Sequence, residues 1–146
     1  MWQRCSVVFS GMERLLAPLL LFAIRFFWGF SFAMSGWGKL QAISKTAAFF
    51  ASLHIPAPLI HAYLVGGIEM IGGILLVLGF ASRLSSLLLS GVMLGALLFD
   101  HDLSSITHLH NFSTLVELPP FPYLFAALTI LTFGPGPLSF DAILKK

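Results

Sequence analysis

Length, composition and charge exclude an ordinary soluble protein. Hydrophobic residues make up 58% of the 146-residue chain and charged residues only 10%, whereas a soluble domain has about 45–50% apolar and about 25% charged residues. The formal net charge of +2 is too small to indicate nucleic acid binding. Because a spanning helix needs about 20 apolar residues, we predict an all-α integral membrane protein, a four-helix transmembrane bundle with short loops embedded in the lipid bilayer.

The N-terminal part of the sequence predicts a short tail and then a first span. Met12 offers a second plausible start, so we expect residues 1–11 to be a dispensable tail and residues 12–146 to form a single membrane domain. The apolar stretch that follows is too long for a cleaved signal peptide, and Arg25 interrupts it. We therefore predict an uncleaved first span over residues 15–36.

The rest of the chain predicts three more apolar segments. A loop with a short interfacial helix, ended by Pro56, follows the first span. Within the third segment, Gly91 and Gly95 form a small-residue pattern that lets helices approach closely. Prolines at the start of the fourth segment prevent an earlier helix start, which leaves it about 14 residues long. The predicted loop covers residues 37–58, and the predicted spans cover residues 59–80, 84–99 and 120–133.

The distribution of lysine and arginine predicts the orientation of the bundle. Cytoplasmic loops carry more of these residues than loops on the other side. Both termini are therefore predicted to be cytoplasmic, and the polar loop at residues 100–120 to lie on the opposite, periplasmic side. The residues on the predicted cytoplasmic side are Arg4, Arg14, Arg83, Lys145 and Lys146, and those on the other side are Lys39 and Lys45.

Two charged residues fall inside predicted spans. Arg25 and Glu69 each lie about ten residues into their spans, or about 15 Å deep, where a charge costs at least about 2.5–3.5 kcal/mol. Because the charges are opposite and the helices antiparallel, we expect an ion pair near the midplane. At 100° per residue, Gly29 and Gly36 share the face of Arg25, and Gly66 shares that of Glu69. The sequence leaves open whether the pair is structural or lines a ligand site.

The polar loop contains the only histidines that suggest a metal. His101, His108 and His110 are ligand types that zinc accepts. Their spacing matches no specific site, and such a loop is usually only solvated, so we predict no metal centre and keep these histidines as weak candidates.

Several segments resemble the DoxX family of small, four-span bacterial membrane proteins. The resemblance covers nearly the whole chain from Met12, and the order and spacing of the segments carry it. The proline-rich start of the fourth span departs from the family pattern. The segments are Arg25 with Gly36-Trp37-Gly38-Lys39-Leu40, then Ile55-Pro56, the stretch from Glu69 to Arg83, His101-Asp102, and Gly134-Pro135-Gly136-Pro137-Leu138-Ser139-Phe140-Asp141.

The resemblance implies a place in the bacterial cytoplasmic membrane and a link to quinones. Founding members of the family are described as small subunits of a quinol oxidase or a thiosulfate:quinone oxidoreductase, and others are linked to oxidoreductase complexes in oxidative stress defence. It therefore implies a non-catalytic subunit with redox protein partners and no covalently bound cofactor. Most members have no assigned activity, and homo-oligomerisation stays open.

Two functions fit the sequence. In the first, the chain is a membrane subunit of a quinone-linked oxidoreductase system, without redox chemistry of its own. A quinone pocket needs aromatic walls and one or two polar groups, and the candidates are Arg25, Trp28, Trp37, Lys39 and Glu69. In the alternative, the chain is a non-enzymatic scaffold or a small-solute-handling bundle, and the Arg25–Glu69 pair is structural.

Overall fold

The computed structural model describes the backbone of residues 2–100 and 116–144 and the side chains of residues 16–99 and 116–144. All regular structure in these parts is helical, which confirms the all-α class. The helices are α1 (Trp2–Gln41), α2 (Ile43–Ser52), α3 (Pro58–Leu78), α4 (Ser82–Asp100), α5 (Pro120–Phe133) and α6 (Phe140–Leu144).

Helix α3 shows how the local sequence sets the ends of a helix. It begins at Pro58, in the first turn, where the missing N–H of proline costs no helical hydrogen bond. It ends at Leu78, and the following residue, Gly79, has a left-handed φ of 72°. The N–H groups of Gly79 and Phe80 then donate to the carbonyls of Leu76 and Leu75, at 3.1 and 3.0 Å. This Schellman-type end turns the chain directly into α4.

The bundle carries large apolar side chains outside and many small or polar ones inside. Exposed leucines and phenylalanines cover α1, α3 and α4, whereas Arg25, Glu69 and several serines of α4 are buried. Three segments are long and apolar enough to cross a membrane: Leu16–Gln41, Pro58–Leu78 and Ser82–Phe99. This pattern confirms a helical membrane bundle, because lipid favours apolar surfaces and small residues favour close helix contact.

Glycine at the contact between α1 and α3 allows the closest helix packing of the bundle. A Cβ atom added to Gly36 would overlap the backbone of Gly66 and Met70. A Cβ atom added to Gly73 would overlap the backbone of Gly29 and Ala33. The two antiparallel helices therefore touch backbone to backbone. This contact fixes their register, with Gly36 of α1 opposite Gly66 and Met70 of α3.

The structure differs from the predicted boundaries at the start of α1, which begins at Trp2 and not at residue 15, and around the first loop. Helix α1 continues past residue 36 to Gln41, and α2 occupies much of the segment predicted as a loop. Helix α5 coincides with the fourth predicted segment, but its 14 residues are fewer than the roughly 20 of a perpendicular span. A fourth membrane crossing therefore stays a prediction.

The bundle has two ends. The α2 end contains the last turn of α1, the start of α3 and the start of α5. The tail end contains the turn between α3 and α4 and residues 134–144, which close the described chain.

Candidate functional site

An apolar cavity of about 480 Å³ lies between α2, α3 and α4. Aromatic and aliphatic side chains form most of its wall, and Glu69 and His61 are its polar lining residues. Phe49 of α2 and Phe99 of α4 stand at its border and are about half exposed, so the cavity reaches the apolar surface of the bundle.

The Glu69 carboxylate is buried in the cavity wall and is held by α1. Its side chain is only 1% exposed, and Lys39 Nζ lies 2.5 Å from its Oε2 atom. Ser35 Oγ donates to the same oxygen at 3.0 Å, and Lys39 Nζ donates to Ser35 Oγ at 2.8 Å. Ser35 and Lys39 are one helical turn apart, so both reach Glu69 from one face of α1. The glycine contact brings that face close enough for these bonds.

The other carboxylate oxygen of Glu69 has a different environment. Within the described part of the chain, Oε2 accepts both hydrogen bonds and Oε1 accepts none. Oε1 is not fully buried. A carboxylate has about four acceptor positions. Oε1 therefore keeps unused acceptor positions, and Glu69 is one of the residues that line the cavity.

The predicted contact between Arg25 and Glu69 is wrong. Arg25 is 1% exposed, but its guanidinium donates to the carbonyls of Pro135 and Leu138, both at 2.6 Å. The register of α1 against α3 is the reason, because it places Arg25 opposite Gly79 at the tail end. Ten residues separate Arg25 from Ser35, which corresponds to about 15 Å along the helix. The two buried charges therefore belong to different ends of the bundle.

Arg25 and Asp141 together attach the tail to the bundle. Asp141 accepts hydrogen bonds from the N–H groups of Ala81 and Ser82, at 2.8 and 2.9 Å, and its own N–H donates to the Gly79 carbonyl at 2.9 Å. A carboxylate at the first N–H groups of a helix satisfies donors that have no partner within the helix. Arg25 therefore has a structural role in holding the tail against the bundle, away from the cavity.

Comparison with known proteins gives the family. A family profile described as DoxX matches residues 20–102, more than half of the chain. The chain belongs to the DoxX family. It is 29% identical over 130 residues to the "Inner membrane protein YphA" of Escherichia coli (strain K12), with 85% of this chain and 89% of that protein covered.

A second relative carries a name from redox chemistry. The chain is 33% identical over 75 residues to the "Putative oxidoreductase CatD" of Bacillus subtilis (strain 168). This match covers 51% of the chain and 54% of CatD, so it spans only about half of each protein. No solved structure matches the chain.

The structure brings together two of the five candidate site residues of this DoxX-family protein. Lys39 and Glu69 are in direct contact. Trp28 packs edge-on against Tyr123 of α5, with ring centroids 4.7 Å apart, and Trp37 is 49% exposed on the outside of α1. With Arg25 at the tail end, neither tryptophan nor the arginine lines the cavity.

Sequence reasoning missed Ser35 and misread the glycines of α4. Ser35 precedes Lys39 by four residues, and this spacing was the signal for a shared helix face. Gly91 and Gly95 were predicted to allow a close helix contact, but no atom lies within 4 Å of a Cβ added at either position. Both line the cavity instead, so their lack of side chains leaves it open.

The weak metal candidates are the three histidines of the polar loop. His101, His108 and His110 lie outside the described residues. Within residues 2–100 and 116–144, no group of three or more histidine, cysteine or acidic residues is arranged to hold a metal ion.

Proposed function

We propose that this DoxX-family protein is a small bacterial inner-membrane subunit that binds a quinone or quinol beside Glu69 and serves a partner redox protein. The observation that carries this proposal is the buried Glu69 carboxylate, whose Oε1 accepts no hydrogen bond from the described residues, in the wall of a cavity that is apolar apart from Glu69 and His61 and that reaches the surface of the bundle. The name of YphA supports the inner membrane, and that of CatD supports a redox setting.

The cavity suits a flat, apolar ring with polar groups at its edge. Its volume of about 480 Å³ falls within the range of about 300–1,000 Å³ that is usual for small-molecule sites. Phe49 and Phe50 of α2 can pack against a ring, and the opening at the lipid-facing surface lets an isoprenoid chain extend into the bilayer. Oε1 of Glu69 can accept a hydrogen bond from a quinol hydroxyl, which favours the reduced ligand because an ionised carboxylate only accepts.

Electron transfer is assigned to a partner in this proposal. The chain has one cysteine, so a dithiol couple within one chain is excluded. The protein would hold quinol in the membrane and pass it to a subunit that carries the electron-accepting cofactor. A pull-down from native membranes, followed by absorption spectra for haem and flavin, tests this part.

Quinone content after purification tests the binding site directly. The protein is purified in mild detergent from quinone-containing membranes, extracted with organic solvent, and its quinone measured by chromatography. A leucine at Gly91 would fill the cavity without a clash at its Cβ, and a leucine at Gly67 is the control, since it also has open space but lies outside the cavity. We expect wild type and Gly67→Leu to retain quinone and Gly91→Leu to lose it.

The same measurement separates the two functions. Equal quinone in all three proteins would place the ligand outside this cavity, and wild type without quinone would contradict the proposal. In the second case, a non-enzymatic scaffold would be the better description. Glu69→Gln should retain less quinol than wild type, because the carboxamide offers a weaker acceptor than the carboxylate.

A further inference from the structure

A second cavity is lined by Ser35, whose hydroxyl donates a hydrogen bond to Glu69. It has a volume of about 230 Å³ and lies between α1, α4 and α5, near the α2 end. Ser35 and Tyr123 are its hydroxyl-bearing lining residues, and Ala96 of α4 lines both cavities. The exposed Pro119 at its border places its mouth at the start of α5.

The hydrogen bonds of Ser35 connect the two cavities. Glu69 lines the first cavity, Ser35 lines the second, and Ser35 Oγ donates to Glu69 Oε2 at 3.0 Å. The Ser35 hydroxyl can also accept, as its bond from Lys39 shows. A hydroxyl that both donates and accepts can relay a proton without moving its heavy atom.

We propose that Ser35 relays protons between Glu69 and the second cavity, so that a ligand in the first cavity exchanges protons with the α2 end of the bundle. The assignment of the ligand as a quinol rests on the proposed function, but the relay itself does not. A buried carboxylate in a lipid-facing wall needs such a polar path, because apolar lipid offers a proton no hydrogen-bond partner.

The transfer is a sequence of balanced proton steps. The O–H bond of a quinol hydroxyl breaks, its proton forms an O–H bond with Glu69, and the electron pair stays on the ligand oxygen. After rotation of the carboxylic acid, and of the Ser35 hydroxyl away from Glu69 Oε2, this proton passes to Ser35 Oγ while the Ser35 hydroxyl proton passes to a water in the second cavity, which becomes hydronium. Reprotonation runs in reverse. No electron leaves the ligand in these steps.

Few other titratable groups face Glu69. Lys39 is its ion-pair partner on α1, and His61 stands in the wall of the first cavity on α3. Tyr123 of α5 lines the second cavity, and its ring packs edge-on against Phe32, with the ring centroids 4.9 Å apart. Helices α2 and α4 add no charged side chain to the described walls of either cavity. Lys39 offers the competing path, because it reaches the α2 end and is partly exposed.

The rate at which Glu69 changes protonation tests the relay without any quinone. The protein is placed in nanodiscs, and the carboxyl stretch of Glu69 is followed by infrared spectroscopy after a pH jump, with Glu69→Gln identifying the band. We expect Ser35→Ala to slow the exchange roughly 100-fold, the lower end of what a positioned proton-transfer group contributes. Ser35→Thr, which keeps the hydroxyl, should exchange as fast as wild type.

Two further variants make the test specific. Ser31 lies one turn earlier on α1, and its hydroxyl donates to the Phe27 carbonyl at 2.9 Å, so Ser31→Ala should leave the rate unchanged. Tyr123→Phe keeps the ring packing, removes the hydroxyl from the second cavity and should slow the exchange. Unchanged exchange in Ser35→Ala, or a Glu69 that stays ionised over the whole pH range, would overturn the relay. Quinone content is measured separately, so a protein that relays protons without quinone would contradict only the proposed function.

Discussion

The separation of the two buried charges can be tested with double-mutant cycles. One cycle combines Arg25→Met with Glu69→Leu, and the other combines Lys39→Met with Glu69→Leu. Arg25 and Glu69 share no hydrogen-bond partner, whereas Lys39 and Glu69 form an ion pair. We therefore expect the first cycle to be additive and the second to show strong coupling.

The expected magnitudes follow from the contacts. Arg25→Met removes two charge-assisted hydrogen bonds in a fully buried site, and at about 1.5–3 kcal/mol each it should cost about 3 kcal/mol or more. Lys39→Met leaves the Glu69 carboxylate buried without its cation, which costs about 3–5 kcal/mol. Adding Glu69→Leu removes that charge and should restore much of the loss. The coupling energy of this pair should then be about 2–3 kcal/mol, against at most about 0.5 kcal/mol for Arg25 with Glu69.

The free energy of unfolding is measured in mixed micelles at rising mole fractions of sodium dodecyl sulfate, with tryptophan fluorescence as the signal. Each variant is first checked for a single symmetric size-exclusion peak. A coupling of about 2 kcal/mol or more between Arg25 and Glu69 would show that the two side chains interact and would refute the register described above. An additive Lys39–Glu69 cycle would refute the ion pair.

Two further predictions concern packing. Gly36→Ala should destabilise the bundle by about 3 kcal/mol, the upper end for overpacking, because the new methyl group meets the backbone of α3. Gly67→Ala, where the added methyl group has open space, should change the free energy of unfolding by less than about 0.5 kcal/mol. Equal effects of the two substitutions would contradict the close contact between α1 and α3. Trp28→Ala should lower the temperature at which the monodisperse size-exclusion peak is lost, because it removes a ring packed against α5. Trp37→Ala should leave that temperature nearly unchanged, because Trp37 is exposed on the outside of α1. The reverse order would contradict the positions of the two tryptophans.

The fold could be predicted from sequence wherever hydrophobicity and helix-ending residues act locally. Apolar runs located α3, α4 and α5 to within about two residues, and Pro58 and Gly79 explain the ends of α3. The buried faces of α1 and α3 followed from the spacing of their small and charged residues. These features depend on neighbours within one helix, which a sequence displays directly.

The pairing of the buried charges could not be predicted, because it depends on the register between helices. The expected depth of Arg25 depended on a predicted helix start at residue 15, whereas α1 begins at Trp2 and ends at Gln41. Backbone contact at Gly36 and Gly73, which the sequence does not display, sets the actual register. The predicted start of the first span lies 13 residues after the start of α1, whereas that of the second span lies one residue after the start of α3. The predicted partner of Glu69 was therefore Arg25 and not Lys39, which lies 14 residues, or about 21 Å, further along α1.

That shift also changes what each charge can do. Arg25 donates to backbone carbonyls of the tail, which cannot change protonation, so its substitution should affect stability and leave ligand chemistry intact. Glu69 is held at one oxygen and open at the other, between a lipid-facing cavity and a second cavity at the α2 end. A carboxylate in that position can accept a proton and return it. In the proposed function, one buried charge holds the tail and the other binds a ligand, so stability and ligand binding should respond to different substitutions.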